Sequence, residues 1–347
     1  MSVVIVGIDE AGYGPLLGPL CVGMSAFTLE HWNEGDPHPD LWRLLAPAVC
    51  RNASDKRRRI AIDDSKKLRL PADSVRRHPL CHLERAVLAS AALLEPQADE
   101  RIPLTDTALF ARLTAVPGAQ PWYAGDHLAL PVGNAEASLR LDANALAGAL
   151  QAAGISIAGL RCCILPEDRY NDAVRRFGGK AATTELGFMS HLRWAFERHG
   201  PLHSGAAVTR VVCDRQGGRV EYGDMLHRFL AAVNAADPGV QALEEAPARS
   251  RYLLTGAVGN QPHALIVSFQ AEGESAWLPI ALASMVAKYT RELSMLRFNR
   301  HFAALAARAG MPELKPTAGY WQDAQRWLTD LSRLLSDDDR RALLRIA

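Results

Sequence analysis

The chain has 347 residues, 48% of them apolar, and a formal net charge of +1. That composition suits one large domain or two small ones and excludes a disordered or fibrous polymer. A balance so near zero also excludes a uniformly basic nucleic-acid binder, so any basic surface must be local.

Ser2 to Ile8 is a short apolar, β-branched run and predicts a buried strand. Gly12-Tyr13-Gly14-Pro15 then forces a turn. Leu20 to Leu29 predicts a second strand, antiparallel to the first. From His31 to Arg59 the chain is polar and ends in the basic run Lys56 to Arg59. Asp63-Asp64-Ser65 marks a cap or turn just before Lys66 and Lys67. Residues 83–95 have helical spacing. Residues 96–135 carry Pro, Gly and mixed polarity without a sustained period, the pattern of an insertion.

Helical periodicity returns over 135–153, and a strand is expected over 155–165. A helix over 183–197 and a strand over 208–213 follow, the latter running into Asp214-Arg-Gln-Gly-Gly. A strand over 264–270 and a long helix from Ala276 to about Phe302 come next, then a last helical stretch. Within that stretch, Ser336 followed by three aspartates marks a helix N-terminus. Strands come first in pairs and then alternate with helices, which predicts a mixed α/β sheet flanked by helices.

Cys21, Cys50, Cys81, Cys162, Cys163 and Cys213 form no C-x-x-C pair, so buried reduced thiols are expected and a zinc site is not. The N-terminus lacks a basic region and a cleavage site, and no apolar run has membrane-spanning length. The expectation is a soluble, cytoplasmic monomer.

Asp9 and Glu10 stand where the first strand meets the glycine turn. Adjacent carboxylates there repel one another. They are either a solvated acidic turn or, since hard divalent ions choose carboxylate oxygens, part of a metal site. Asp214 ends another apolar strand before a glycine turn. Glu274 follows the strand ending near Gln270, at the mouth of the long helix, where a glutamate also complements the helix dipole. Carboxylates at three strand termini form the ligand pattern of two-metal phosphodiester hydrolysis.

The string GIDEAGYGPLLGPL resembles the opening signature of ribonuclease HII, of the type 2 ribonuclease H family, and IDDSKKL resembles that family's DSKKL segment. GESAWLPIALASMVAKYTRE is similar to the segment in which an acid precedes a helix bearing S-x-x-A-K-x-T-R. LKPTAGYWQDAQRWL resembles the tyrosine-bearing segment after that helix. The four blocks fall in the family's order.

The resemblance implies a ribonuclease H-like mixed sheet of about five strands, with the first three antiparallel, flanked by helices and carrying insertions. The catalytic core would take roughly residues 1–72 and 155–302 of a single domain, with an insertion at about 96–135 and a C-terminal helical segment over 303–347. It further implies two Mg²⁺ or Mn²⁺ ions held by Asp9, Glu10, Asp214 and Glu274, and an RNA–DNA hybrid as substrate. At Glu274 the family usually has aspartate, although the ribonuclease HIII branch uses glutamate.

Substrate contacts would come from Gly12, Tyr13 and Gly14, from Lys66, Lys67, Ser284 and Lys288, with Arg291 on the same helical face, and from Tyr320, which matches the tyrosine stacked on a deoxyribose. Where the family reads G-R-G this chain has Gly12-Tyr13-Gly14. The loop that should sense the 2′-hydroxyl therefore lacks its arginine. An alternative is a nucleic-acid-binding relative without cleavage. A dinucleotide-binding reading of Gly12-x-Gly14 fails, because Asp9 and Glu10 would face a pyrophosphate and Pro15 and Pro19 spoil the required helix.

Overall fold

A computed structural model describes residues 2–32, 39–94, 101–202, 207–215, 217–311 and 313–346. Residues 33–38 of the polar stretch, 96–100 of the expected insertion, and residue 216 of the turn after Asp214 lie outside the described residues.

In chain order the elements are β1 (Val3–Ala11), β2 (Leu20–Leu29), α1 (Leu41–Leu44), β3 (Val49–Cys50), β4 (Ile60–Ala61), α2 (Ser65–Leu68), α3 (Cys81–Ala91), α4 (Asp106–Arg112), α5 (Glu136–Ala152) and β5 (Ile155–Leu165). Then come α6 (Glu167–Phe177), α7 (Lys180–His199), β6 (Thr209–Asp214), α8 (Gly223–Ala232), β7 (Ala236–Glu245), β8 (Arg249–Val258), β9 (Gln261–Gln270), α9 (Gly273–Ala276), α10 (Leu278–Arg308), α11 (Trp321–Asp330) and α12 (Asp337–Leu343).

The main sheet runs β5-β2-β1-β6-β9-β8-β7. The first three strands in sequence that enter it are antiparallel neighbours, while β6 lies parallel to β1 and β9 parallel to β6. This is the expected mixed α/β class, but with seven strands in place of about five. The surplus is the antiparallel hairpin β7–β8, added to the edge of β9. β7 escapes the sequence because it is a mostly exposed edge strand containing Pro238 and a register shift, so it shows no apolar alternation. Helices α4, α6 and α8 are likewise absent from the sequence expectation. Helix α6 is strongly polar and buries only Glu167, Tyr170, Asn171 and Ala173.

Alternation along β1 divides the core. Val3 and Ile5 join the cluster containing α3, α5 and α10, whereas Val6 and Ile8 pack with Phe188, Leu192 and Phe196 of α7. The long helix approaches the sheet backbone to backbone. A Cβ on Gly7 would lie 2.1 Å from the carbonyl carbon of Pro279, and one on Gly23 2.2 Å from the Ala283 oxygen. Those two glycines seat the start of α10 across β1 and β2, directly behind the strand end that carries Asp9.

Ile102, Leu109, Phe110 and Leu130, from the expected insertion, share the core of α3 and α10. A buried pair, Arg297 Nε to Asp106 Oδ2 at 2.5 Å, ties α10 to α4. Ser336 caps α12 with a capping box, as its three aspartates suggest. All six cysteines are free thiols, five of them buried and Cys163 partly so. Among the described residues no helix is long and apolar enough to cross a membrane.

Candidate active site

β1 does not stop at Ile8. Its ladder with β2 continues through Asp9, opposite Gly23, and Glu10, opposite Val22, to Ala11. The apolar run ends earlier than the strand because backbone pairing outlasts the side-chain pattern. Asp9 is only 7% exposed, and its Oδ1 accepts a hydrogen bond from the Glu10 N–H at 2.8 Å. Asp214 is the last residue of β6. It lies one step beyond the Ile8–Cys213 pair and so draws level with Asp9. Its Oδ1 accepts from the Gly273 N–H at 2.9 Å.

Glu274 sits on the single turn α9, not at the mouth of the long helix. The chain enters that turn through Glu272 in a left-handed conformation (φ 53°). Ser284, buried in the first turns of α10, donates to Glu274 Oε1 at 2.7 Å and shares a hydrogen bond with the Ser65 hydroxyl at 2.9 Å. Ser284 thus orients an acid and does not itself face an open cleft.

The structure brings Asp9, Glu10, Asp214, Glu274, Lys66 and Ser284 together. Burial first, then the charges of Glu10, Glu274 and Asp214, holds the Asp9 carboxyl well above the usual carboxylate range. Burial and the nearby Asp214 push Glu10 up to about 7, against the opposing pull of Lys66. Burial also raises Asp214, although the Gly273 N–H works the other way. For Lys66 partial burial lowers the pKa, but Glu274, Asp64, Asp9 and Glu10 outweigh it and raise it.

Asp9 and Glu274 lie within hydrogen-bonding reach of each other. As the side chains stand, no group of three or more His, Cys, Asp or Glu among the described residues is set to hold a metal ion. The carboxyls bond backbone amides, a serine and each other instead. Their chemistry nonetheless suits a hard cation, because four acids crowded at one strand edge are short of positive charge.

The neighbouring loop is pinned from below. Gly12 has φ 91°, and a Cβ there would meet the Arg291 Nε at 2.5 Å. Arg345, near the C-terminal end of the sequence, donates to the carbonyls of Gly12 at 2.6 Å and Tyr13 at 3.1 Å. Arg291 donates to the carbonyls of Pro19, Leu17 and Ala318. Buried in this role, Arg291 is neither a duplex contact nor a solvated cation beside Lys288, the two positions its helical spacing left open.

Glu167 accepts from the Gly18 N–H at 3.1 Å and from the Tyr123 hydroxyl at 2.8 Å, and burial pushes its carboxyl up to about 7. The Tyr13 side chain is 43% exposed, and an added Cβ at Gly14 would meet nothing within 4 Å. Tyr320 caps α11 and is 49% exposed, with its ring centroid 6.0 Å from the Arg291 guanidinium.

Two expected phosphate contacts stand elsewhere. Lys67 is exposed and lies 3.8 Å from Asp63, and Lys288 is mostly covered and pairs with Glu292 at 3.1 Å beside Arg69. Trp321, next to Tyr320, is exposed, whereas Trp327 is fully buried. Arg345 and Glu167 were not singled out in the sequence. Arg345 gives a signal only as a lone cation between Leu344 and Ile346.

No family model matches the chain, and no curated protein does. Among solved structures it is similar to the ribonuclease HII of Archaeoglobus fulgidus, solved in complex with PCNA, at 11% identity and a TM-score of 0.38 over 99% of this chain and 94% of that one. It is similar to ribonuclease H2 of Pyrococcus horikoshii at 12% and 0.35, over 98% and 97% of the two chains. A third is Bst-RNase HIII in complex with Mn²⁺, at 13% and 0.35, over 98% of this chain and 69% of that one. Those structures are type 2 ribonucleases H, and at such low identity the function of this chain has to be argued from its own carboxylates.

Proposed function

We propose that the protein is a type 2 ribonuclease H, an endonuclease that hydrolyses the RNA strand of RNA–DNA hybrids or an embedded ribonucleotide, with two Mg²⁺ or Mn²⁺ ions and 5′-phosphate and 3′-hydroxyl products. One observation carries the reading: Asp9, Glu10, Asp214 and Glu274, from three separate elements, gather at one strand edge against the opposing charge of Lys66. Bound there, divalent ions would supply charge neutralisation at the scissile phosphate and an activated water.

Asp9, Glu10, Asp214 and Glu274 would hold the ions through their carboxylate oxygens. Ser284 holds Glu274 in orientation through Oε1. The Gly12–Tyr13–Gly14 backbone, held by Arg345 at the Gly12 and Tyr13 carbonyls with Arg291 packed against Gly12, offers a braced loop to the sugar beside the cut. Lys66 adds positive charge for the phosphates, and the exposed ring of Tyr320 offers a face for a sugar.

The test is cleavage of a uniform hybrid and of a duplex with a single ribonucleotide, in Mg²⁺ and in Mn²⁺. Cutting of either with the stated ends supports the reading, and intact substrates under all four conditions overturn it. A second reading, a nucleic-acid-binding relative without cleavage, draws on the contact between Asp9 and Glu274. In that reading the duplex binds in the same assay and stays whole.

A further inference from the structure

We infer that the cleft between the β3–β4 loop, the start of α3 and the start of α5 binds the phosphodiester backbone of a nucleic-acid strand, apart from the carboxylate cluster. The cavity measures about 1040 Å³ and is lined by Lys56, Arg58, Arg59, Arg76, Arg77 and Arg85 against two acids, Asp55 and Asp142. That leaves an excess of four positive charges in one place, in a chain whose net charge is +1.

Two of the arginines build the walls. Arg59 grips Asp55 with two bonds, Nη2 to Oδ1 at 2.9 Å and Nε to Oδ2 at 3.2 Å, and reaches the Ala46 carbonyl. Arg85 grips Asp142 at 2.7 and 2.8 Å and donates to the Arg58 carbonyl at 2.8 Å. That last bond supports Arg58 in a left-handed conformation (φ 58°), which non-glycine residues seldom adopt and which collects at functional positions. Lys56, Arg58, Arg76 and Arg77 remain exposed at the mouth, with no carboxylate partner among the described residues.

The chemistry selects the ligand. Guanidinium forks match phosphate oxygens. Among the described residues no Phe, Tyr or Trp lines the cavity and the imidazole of His82 there is buried, so it offers no platform for base stacking and would read the backbone without regard to sequence. The segment that presents Lys56 and Arg58 here runs on to Lys66 at the carboxylates. The choice of a polynucleotide over an acidic polypeptide rests on the nuclease reading above.

The experiment measures binding of a labelled oligothymidylate by fluorescence anisotropy, in EDTA, across a salt series. The wild type is compared with a triple variant, Arg58→Gln, Arg76→Gln and Arg77→Gln, whose fold is checked by circular dichroism. The triple variant should bind roughly tenfold or more weakly, and its log K against log salt slope should flatten by about 2, since each single-strand phosphate contact contributes about 0.7. Unchanged affinity and slope overturn the inference. Tripolyphosphate competing as well as the oligonucleotide at equal phosphate would make this a small-anion site, and polyglutamate doing so would make it an acidic-polypeptide site; either overturns the assignment. Hybrid cleavage, measured separately, keeps the two readings apart. A wild type that binds through the cleft but never cuts sinks only the nuclease, and one that cuts while the triple variant binds normally sinks only the cleft.

Discussion

Neutralising Glu10 should stabilise the metal-free protein. Its carboxyl titrates near 4.5 when unperturbed and near 7 in the fold, because of burial and the nearby Asp214. The folded state therefore holds the proton more tightly than the unfolded chain does. The penalty is absent below about pH 4.5, grows as pH rises, and is nearly complete at pH 7. At 1.36 kcal/mol per pH unit it amounts to about 3 kcal/mol, an upper bound because the neighbouring acids share protons. An unfolding entropy of about 2.1 cal/mol/K per residue makes about 0.7 kcal/mol/K for this length, so the penalty corresponds to roughly 4 °C. Thermal unfolding of wild type and Glu10→Gln in EDTA, near pH 5 and near pH 8, measures it. The variant should melt higher near pH 8 and lose most of that advantage near pH 5. A variant that melts at or below wild type at both pH values would refute the crowding argument, and so would an equal gain at both.

Three further outcomes follow from particular contacts. Ser284→Ala removes the hydroxyl that orients Glu274, so kcat should fall about tenfold or more with KM nearly unchanged; a change confined to KM would show that Ser284 acts on substrate binding. Tyr13→Arg restores a guanidinium to the loop and should raise kcat/KM for a single embedded ribonucleotide more than for a long hybrid. Equal ratios in both proteins would move specificity to Tyr320 or the inserted segments. Arg297→Met leaves the fully buried Asp106 unpaired and should cost about 3–5 kcal/mol in denaturant unfolding. A cost below about 1 kcal/mol would show that water reaches Asp106.

Legibility in the sequence follows burial. β2 and β5 match their expected ranges residue for residue: β2 is a nearly unbroken apolar run inside the sheet, and β5, although an edge strand, is apolar over most of its length. The end of β1 is less legible, since Asp9 and Glu10 stay in the ladder after the apolar residues stop. The β7–β8 hairpin is hidden at its outer strand, where an edge position relaxes the pattern that would announce it.

The four carboxylates are visible as residue types at element ends, but what arranges them is not. Ser65 and Ser284 stand 219 positions apart, and Arg345 reaches Gly12 across 333. Such pairs have no local signature. Arg291 misleads in the opposite direction, because helical spacing places it beside Lys288 while packing against Gly12 buries it.

The central claim is that these four acids hold divalent ions, and counting bound Mn²⁺ by electron paramagnetic resonance tests it most directly. The protein is mixed with a hybrid carrying non-hydrolysable linkages and titrated with Mn²⁺, alongside the Asp9→Asn variant. The account predicts about two ions per wild-type chain and loss of at least one from the variant. No specific binding by the wild type, or the same count in both proteins, would contradict it.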